Sequence, residues 1–481
     1  MRSTFTGLEL AKRSLFTQQA ALTTTGHNIA NANTRGFTRQ VVNMVAAKPI
    51  EAVGMMRSNI PGQMGQSVEF TSITRIREGF LDKQFYNEHK GYGEWTVRQD
   101  TLEKLESIIN EPSDTGLRQV MDNFWNSWQE LSKQPDNLET RAVVKESALA
   151  LTDAFNSVAR KLNDLTSDLN DNIDVKITQV NSTLQQIAAL NGEIYRIEGL
   201  GNNANDLRDQ RDVLLDDLSK VINISVTEDA NGYTVMMGNQ TLVTGQAPTE
   251  FNLNLVNAAY PTNLASGELF ALKESTTKYV DEYKRQLNSL ATTIVGSVNT
   301  AHQEGYTLKG PAATRGGLFF SAITDPAKAA EQMGVSSTIT DDVENIAASK
   351  ATFSDNGVDK VVRGNNEMAL QIAGIKNTKY NFETSGLDKI ILNGGTFDEF
   401  LRAVVGQIGV QSQEATRQAA NQKILVDQVD SRRQAVSGVS LDEEMANMIK
   451  FQHAYNAAAR ALTTFDEALD KVINSMGVVG R

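Results

Sequence analysis

The sequence predicts a mainly α fold of nested domains. It places helices at both chain ends that pair as a coiled coil, a long helical bundle next to them, and a smaller mixed α+β part with β-rich character inserted in the middle. Two observations support this prediction. Apolar residues recur every seven positions near both termini, the pattern of helices that pair. Helical spacing dominates from residue 80 to 221, and at residue 222 the apolar period changes to two before helical spacing returns at residue 276.

The two terminal stripes differ in strength. The N-terminal stripe consists of Leu8, Leu15, Leu22 and Ile29, beside a half-polar seam of Ala11, Gln18 and Thr25. The C-terminal stripe consists of Met448, Tyr455, Leu462, Leu469 and Met476, interleaved with Phe451, Ala458, Phe465 and Val472. Burial of each large side chain contributes roughly 1.5–3 kcal/mol, so each stripe needs a partner. We expect the terminal helices to pair, although packing on separate local cores or docking between subunits would use similar stripes.

The first helix is expected to end within the stretch GHNIANANTRGFTRQ, residues 26–40. The side chains of Asn31, Asn33 and Thr34 compete with the helix for backbone hydrogen bonds, and Gly36 offers a turn. From Phe37 the chain would cross to the next layer. We therefore predict a joint between the terminal helix and the rest of the protein.

The period of the apolar residues assigns the segments that follow. Residues 41–80 alternate as extended segments and turns, and Asn231-Gly232 within 222–245 predicts a β-hairpin. The predicted helices are 80–110, 114–132, 140–200, 205–221, 276–304 and 396–436. The first is expected to be interrupted near Gly91 and Gly93, and the second carries an aromatic stripe that is typical of a core. Residues 311–394 have weak periodicity. The expected domains are 1–45 with 438–481, 46–221 with 276–310 and 395–437, and 222–275 with 311–394.

Composition and motifs argue against several functional classes. The chain has no cysteine and a net charge of −12, which disfavour disulfide frameworks, thiolate metal sites and general nucleic-acid binding. No apolar run is long enough for a membrane span or a cleavable signal. The four histidines are isolated and no GxSxG motif occurs, so we expect no catalytic, cofactor or metal site. The acidic residues 442–444 suit the positive end of the last helix.

Both chain ends resemble one protein family. The stretch GLELAKRSLFTQQAALTTTGHNIANANTRGFTRQ resembles the first helix of the rod, hook and hook-associated proteins of the bacterial flagellum, which ends in an ANANT-type motif. The stretch SGVSLDEEMANMIKFQHAYNAAARALTTFDEALDKVINSM resembles their C-terminal helix. Residues 38–40 and 439–444 bring the resemblance closest to the members that join the hook to the filament. His27 departs from the family pattern, in which asparagine is usual.

The resemblance implies a non-enzymatic structural protein that type III export secretes to the hook–filament junction. It implies an inner layer of terminal helices around a central channel, with the inserted domains facing outward. The implied partners are further copies in a helical ring, the hook protein, hook-associated protein 3 as the second junction protein, and a flagellar export chaperone, without nucleic acid or membrane insertion. The residues assigned to packing and assembly are Leu8, Leu15, Leu22, Ile29, Asn31, Asn33, Gly36, Met448, Phe451, Tyr455, Leu462, Phe465, Leu469 and Val472.

Three alternatives remain at this point. A rod or hook subunit would share the terminal motifs. A cytosolic helical scaffold or chaperone would stay inside the cell, and an enzyme would need its activity in residues 222–394.

Overall fold

The computed structural model describes residues 5–48, 65–109, 116–229, 232–382 and 394–475. The fold is mainly helical with small antiparallel sheets, as the sequence predicts. The longer helices are α1 Thr6–Ala30, α2 Gly79–Ile109, α3 Leu117–Lys133, α4 Leu138–Glu198, α5 Asn205–Val221, α8 Asp281–Glu304, α12 Phe397–Ser437 and α13 Leu441–Ser475. The short helices are α6 Leu253–Ala259, α7 Glu268–Glu274, α9 Ala329–Gln332, α10 Ser337–Asp341 and α11 Glu367–Gly374. A π-helix, Ser275–Val280, connects α7 to α8, and 3-10 turns occupy Pro326–Lys328, Val343–Asn345 and Ile375–Asn377.

The strands form three antiparallel sheets in the described residues. They are β1 Gln40–Ala46, β2 Val68–Arg75, β3 Ser225–Asp229, β4 Gly232–Met237, β5 Gln240–Thr244, β6 Ala247–Pro248, β7 Thr352–Asp355 and β8 Val358–Val361. β1 pairs with β2, with Val42 opposite Ile73 and a bulge between Asn43 and Met44. β3 to β6 form a four-stranded meander, and β7 pairs with β8. The predicted hairpin is confirmed by the pairing of Asp229 with Gly232, while Asn231 lies outside the described residues.

The chain divides into two compact units. The first comprises residues 1–92, 177–267 and 422–481, and the second comprises 93–176 and 268–421. The β-rich segment 222–267 therefore belongs with the terminal helices, and 311–382 belongs with α3 and α8. This division differs from the three expected domains because β3–β6 pack beside the end of α4. Asn191 of α4 donates from its side-chain nitrogen to the carbonyl oxygens of Tyr233 and Gly245, at 3.1 and 2.7 Å. The arrangement of layers in an assembled ring stays a prediction.

An aromatic core fills the second unit. Phe124 and Trp128 are fully buried, and Phe124 contacts Phe319 and Phe320 at ring-centroid distances of 6.1 and 5.7 Å. The core interpretation of the stripe in α3 is therefore confirmed. Fully buried His302 lies at the edge of this core, where its Nδ1 donates to the carbonyl oxygen of Gly317 and its Nε2 accepts from the amide of Ala347. Both ring nitrogens are therefore hydrogen-bonded when the imidazole is neutral. Burial lowers the pKa of His302 to about 4.

Two of the predicted helices differ from the structure by more than a few residues. The interruption expected near Gly91 and Gly93 is wrong, because α2 is continuous. A Cβ added at Gly91 would lie 3.1 Å from the side chain of Gln422, so this glycine allows a close approach of α12 rather than a break. The helix expected from residue 276 begins at Glu268, since the π-helix continues α7 into α8.

Candidate assembly site at the terminal helix pair

α1 and α13 pack against each other as an antiparallel pair in the first unit. At one end Asn28 bonds to Glu444, and at the other Gly7 faces the ring of Phe465. A Cβ added at Gly7 would lie 2.6 Å from two ring carbons of Phe465, so only glycine fits there without displacing the ring. The expected pairing of the terminal helices is confirmed.

The face of α1 that is most buried differs from the predicted stripe. Leu8, Leu15, Leu22 and Ile29 are only half-buried. The buried residues of α1 are small or polar, namely Ala11, Thr17, Ala21, Thr24, Thr25 and Asn28. Small side chains let two helix backbones approach closely, which pushes the larger leucines to the margin of the contact. Of the half-polar seam, Ala11 and Thr25 are buried and Gln18 is half-buried in the single chain.

The predicted residues of α13 keep much of their apolar surface exposed. Half-buried positions are Met448, Phe451, Tyr455, Leu462 and Leu469, whereas Phe465 and Val472 are 43% and 46% exposed. Met476 lies outside the described residues. Exposed apolar residues that the prediction missed are Leu441, Met445, Ile449 and Ile473. Their spacing of four from 441 to 449 marks one face of the helix and could have identified the first three.

The end of α1 lies within the predicted joint. α1 ends at Ala30, and the side-chain amide of Asn31 donates to the carbonyl oxygen of His27 at 3.1 Å. Asn33 is exposed. Gly36 has a φ of +80°, and a Cβ added there would lie 2.0 Å from Cγ2 of Val213 in α5. Glycine is therefore required both by the left-handed backbone and by the contact.

A buried polar cluster connects the end of α1 and the joint to the start of α13. Asn28 Nδ2 donates to Glu444 Oε2 at 3.0 Å and to the carbonyl oxygen of Gln40 at 2.9 Å. The amide of Gln40 donates to Asn28 Oδ1 at 3.0 Å, and Arg39 Nε donates to Glu444 Oε1 at 2.8 Å. Arg39 also pairs with the exposed Glu443 at 3.0 Å. The sequence interpretation of residues 442–444 as partners of the helix dipole therefore missed the buried ion pair of Glu444.

A second cluster holds the joint and β2 against α5. Asp209 accepts from the amide of Thr38 at 2.9 Å and from Arg75 Nη1 at 2.6 Å, and Arg75 also reaches Asp212 at 2.9 Å. Burial raises the pKa of Asp209 above its ordinary value, which the charge of Arg75 opposes. One signal could have identified this cluster, because Asp209 and Asp212 lie three residues apart on one face of a helix.

These clusters act as structural ion pairs. Asp216 is held by both Nη atoms of Arg433 at 2.9 and 2.7 Å, and burial raises the pKa of Asp216 as well. In the part of the chain that the structure describes, no group of three or more histidine and carboxylate side chains is placed to bind a metal ion. Among the described helices, none has the length and apolar character needed to span a membrane.

Comparisons with known proteins agree with this geometry. The family model "Flagellar hook-associated protein FlgK helical domain" matches residues 102–320. The model "Flagella basal body rod protein" matches 8–38, and "Flagellar basal body rod FlgEFG protein C-terminal" matches 432–476. The two rod models thus cover most of α1 and all of α13, and the third covers the end of α2 and the helices α3 to α8.

Several relatives extend over the whole chain. Flagellar hook-associated protein 1 of Bacillus subtilis is 35% identical, with 100% of both chains covered. The protein of the same name in Escherichia coli is 24% identical over 96% of this chain and 98% of its own. In fold, the chain is similar to the flagellar hook junction protein FlgK of Burkholderia pseudomallei, with a TM-score of 0.60, 14% identity, and coverage of 75% of this chain and 100% of that one. The chain therefore belongs to the family of flagellar hook-associated protein 1.

Proposed function

We propose that this chain is a structural subunit of the bacterial flagellum that forms the junction connecting the hook to the filament. The observation that carries the proposal is the terminal helix pair. It closes through a seam of small residues and leaves Met445, Ile449, Phe465 and Ile473 between 43% and 64% exposed. Further copies of the chain that packed around α13 would remove those side chains from water.

The free energy available from that contact is substantial. Full burial of a large apolar side chain contributes roughly 1.5–3 kcal/mol, so covering four half-exposed ones contributes about 4 kcal/mol for each copy of α13. A ring of copies repeats this contact at every subunit, whereas a single pair of chains makes it once. The leucine stripe of α1, half-buried in the single chain, would add to it. We therefore assign inner-layer packing to the two apolar stripes and the role of a joint to Asn31, Asn33 and Gly36.

The proposed partners follow from the position of the protein. A junction subunit contacts the hook protein on one side and the second junction protein, hook-associated protein 3, on the other. It reaches that place outside the cell through the flagellar export apparatus, with an export chaperone as its partner before export. The names of the relatives, which are hook-associated and hook junction proteins, support this location.

The proposed role needs no catalysis, and a screen of the purified chain for hydrolase and peptidase activity tests this part. Turnover that depends on residues 222–394 would contradict it.

A rod or hook subunit is the second candidate, because the two rod models match the terminal helices. Electron microscopy of sheared flagella that carry a labelled chain separates the two. Label confined to a band between hook and filament supports the proposal. Label along the whole hook or in the rod would replace it with the second candidate, and label only inside the cell would indicate a scaffold.

The substitution Leu462→Asp tests the role of the terminal pair. The substitution places a charge at the half-buried position of Leu462 in α13. Because burial of a charge is costly, we expect cells without filaments and no variant chain in sheared flagella. Circular dichroism of the purified variant should still report a mainly helical protein. Val410→Asp, at a residue that is 66% exposed in the second unit, is the matched control and should assemble. Full filaments built from Leu462→Asp would refute the role.

A further inference from the structure

We infer that Asn28, Arg39 and Glu444 set the register in which α1 and α13 pair. Asn28 and Glu444 are 1% and 2% exposed, and they meet directly across the two helices. Their bond lies at the end of the pair opposite the contact between Gly7 and Phe465. On each helix the two contact positions are three heptads apart, so both contacts are satisfied by one alignment only.

Apart from the contact of Gly7 with Phe465 at one end, the apolar seam discriminates poorly between alignments. Along α13, Met448, Tyr455 and Leu462 repeat at equivalent positions of successive heptads. The buried residues of α1 along the pair include the small Ala11 and Ala21. A slip of one heptad therefore exchanges one large apolar side chain for another against a similar small surface. Burial of apolar area is non-directional, so it changes little on such a slip.

The polar contact changes sharply on the same slip. Moving α13 by seven residues places Phe451 near Asn28 in one direction, and in the other it places the residues before the start of the helix there. The carboxylate of Glu444 then loses the amide of Asn28, and its position relative to Arg39 shifts by about two helical turns. A buried group that loses its partner carries its full desolvation cost, and the cost is larger for a charged group. A buried polar pair within an apolar helix contact is a known means of specifying register.

The same three residues connect the register to the joint. The amide of Arg39 donates to the carbonyl oxygen of Ser437 at 2.9 Å, and Asn28 bonds both the amide and the carbonyl of Gln40. Gln40 in turn donates from Nε2 to Asp206 of α5 at 2.7 Å. Correct pairing of the terminal helices thereby fixes where the chain leaves α1. The cluster acts as a positioning device for the terminal pair, not only as a local cap of α13.

The absence of native cysteine allows a direct measurement of register by disulfide trapping. Ser14 lies one heptad from Gly7, and Ala458 lies one heptad from Phe465, so the pair Ser14→Cys with Ala458→Cys reports the alignment of the structure. The pair Ala21→Cys with Ala458→Cys reports a slip of one heptad. All three positions carry small side chains, so the substitutions disturb the seam little. Each pair is introduced into the full-length chain, and disulfide formation is followed after mild oxidation.

The decisive comparison is between the unaltered chain and the double variant Asn28→Leu with Glu444→Leu, each carrying one of the cysteine pairs. The double variant replaces the polar contact by an apolar one. In the unaltered background we expect the first cysteine pair to form a disulfide and the second to form almost none. In the double variant we expect the disulfide of the second pair to rise by about tenfold, since the penalty against the slip is gone. The control Glu443→Gln removes the exposed partner of Arg39 and should leave the register unchanged.

The inference is overturned if the double variant keeps the first disulfide alone, or if the unaltered chain fails to form it. Should the double variant form neither disulfide, the milder Glu444→Gln decides the question. An increase in the slipped disulfide with that variant supports the inference, and an unchanged ratio overturns it. The same ratio in chains recovered from sheared flagella extends the result to the assembled state, which rests on the proposed function. Absence of the unaltered chain from flagella would refute that function and leave the register measured in the purified chain.

Discussion

The contact of Gly36 with α5 leads to a sharp prediction about the joint. The substitution Gly36→Ala introduces a methyl group where the backbone has a φ of +80° and Cγ2 of Val213 would lie only 2.0 Å away. A left-handed backbone costs an L-residue roughly 1–2 kcal/mol. Relief of the overlap by moving α5 or the joint costs about 1–3 kcal/mol more. The expected loss of local stability is therefore about 2–5 kcal/mol.

Gly201 provides the matched control for this prediction. Its φ is +86°, close to that of Gly36, but a Cβ added there would meet no atom within 4 Å. Gly201→Ala should therefore reduce local stability only by the cost of the left-handed backbone, about 1–2 kcal/mol. Combining Gly36→Ala with Val213→Ala should recover most of the steric term, since the overlapping methyl group is then removed.

Hydrogen exchange measured by mass spectrometry on peptides that cover residues 31–40 and α5 reports this local stability. A loss of 2–5 kcal/mol corresponds to exchange that is faster by about 30-fold to several thousand-fold, because each 1.4 kcal/mol is a factor of ten. Gly201→Ala should speed exchange near its own position by about tenfold. Equal effects of Gly36→Ala and Gly201→Ala, or no recovery with Val213→Ala, would refute the steric reasoning.

Three further predictions concern other contacts. Gly7→Ala should reduce swimming and flagellar assembly because its methyl group meets an aromatic ring of α13, whereas Gly26→Ala on the same helix meets no atom within 4 Å and should assemble normally. The pKa of His302 in the folded chain is lowered to about 4 from an ordinary 6.5, so its contribution to stability is complete above pH 6.5 and is lost as pH falls toward 4. Urea unfolding should therefore give a free energy of unfolding that is lower at pH 4.5 than at pH 7 by up to about 3 kcal/mol. In the variant His302→Gln this difference between the two pH values should be absent. Val404→Ile should raise the urea midpoint by filling part of a cavity of about 30 Å³, a gain of up to about 1 kcal/mol, whereas Val410→Ile at an exposed site of the same helix should not.

The sequence alone was sufficient for the elements with a strong local cause. The bounds of α5 follow from its apolar spacing, and the end of α1 follows from Asn31 and Gly36, because propensity and hydrogen-bond competition act within a few residues. The β3–β4 hairpin follows from a turn signal between two alternating segments. The resemblance of the two chain ends to the family is also a local signal, since both motifs are short and continuous in the sequence.

Contacts between distant residues required the tertiary structure. Glycine is typical of a helix break, yet Gly91 lies in a continuous helix, where it faces the side chain of Gln422. Glu444 has the position of an ordinary N-terminal acid, but residues more than 400 positions away bury it and bond to it. No local pattern encodes such partners, because the free energy of a buried charge depends on what the fold brings next to it.

The terminal helices show where the two kinds of information meet. Heptad spacing at both ends of the chain determined that α1 and α13 are helices with an apolar stripe and that each needs a partner. Tertiary packing decided which face of α1 is buried. It buries Ala11, Ala21 and Thr25 and leaves Leu8, Leu15 and Leu22 half-buried. The reason is steric: the shortest distance between two helix axes is reached where side chains are small, and hydrophobicity alone does not reveal that face.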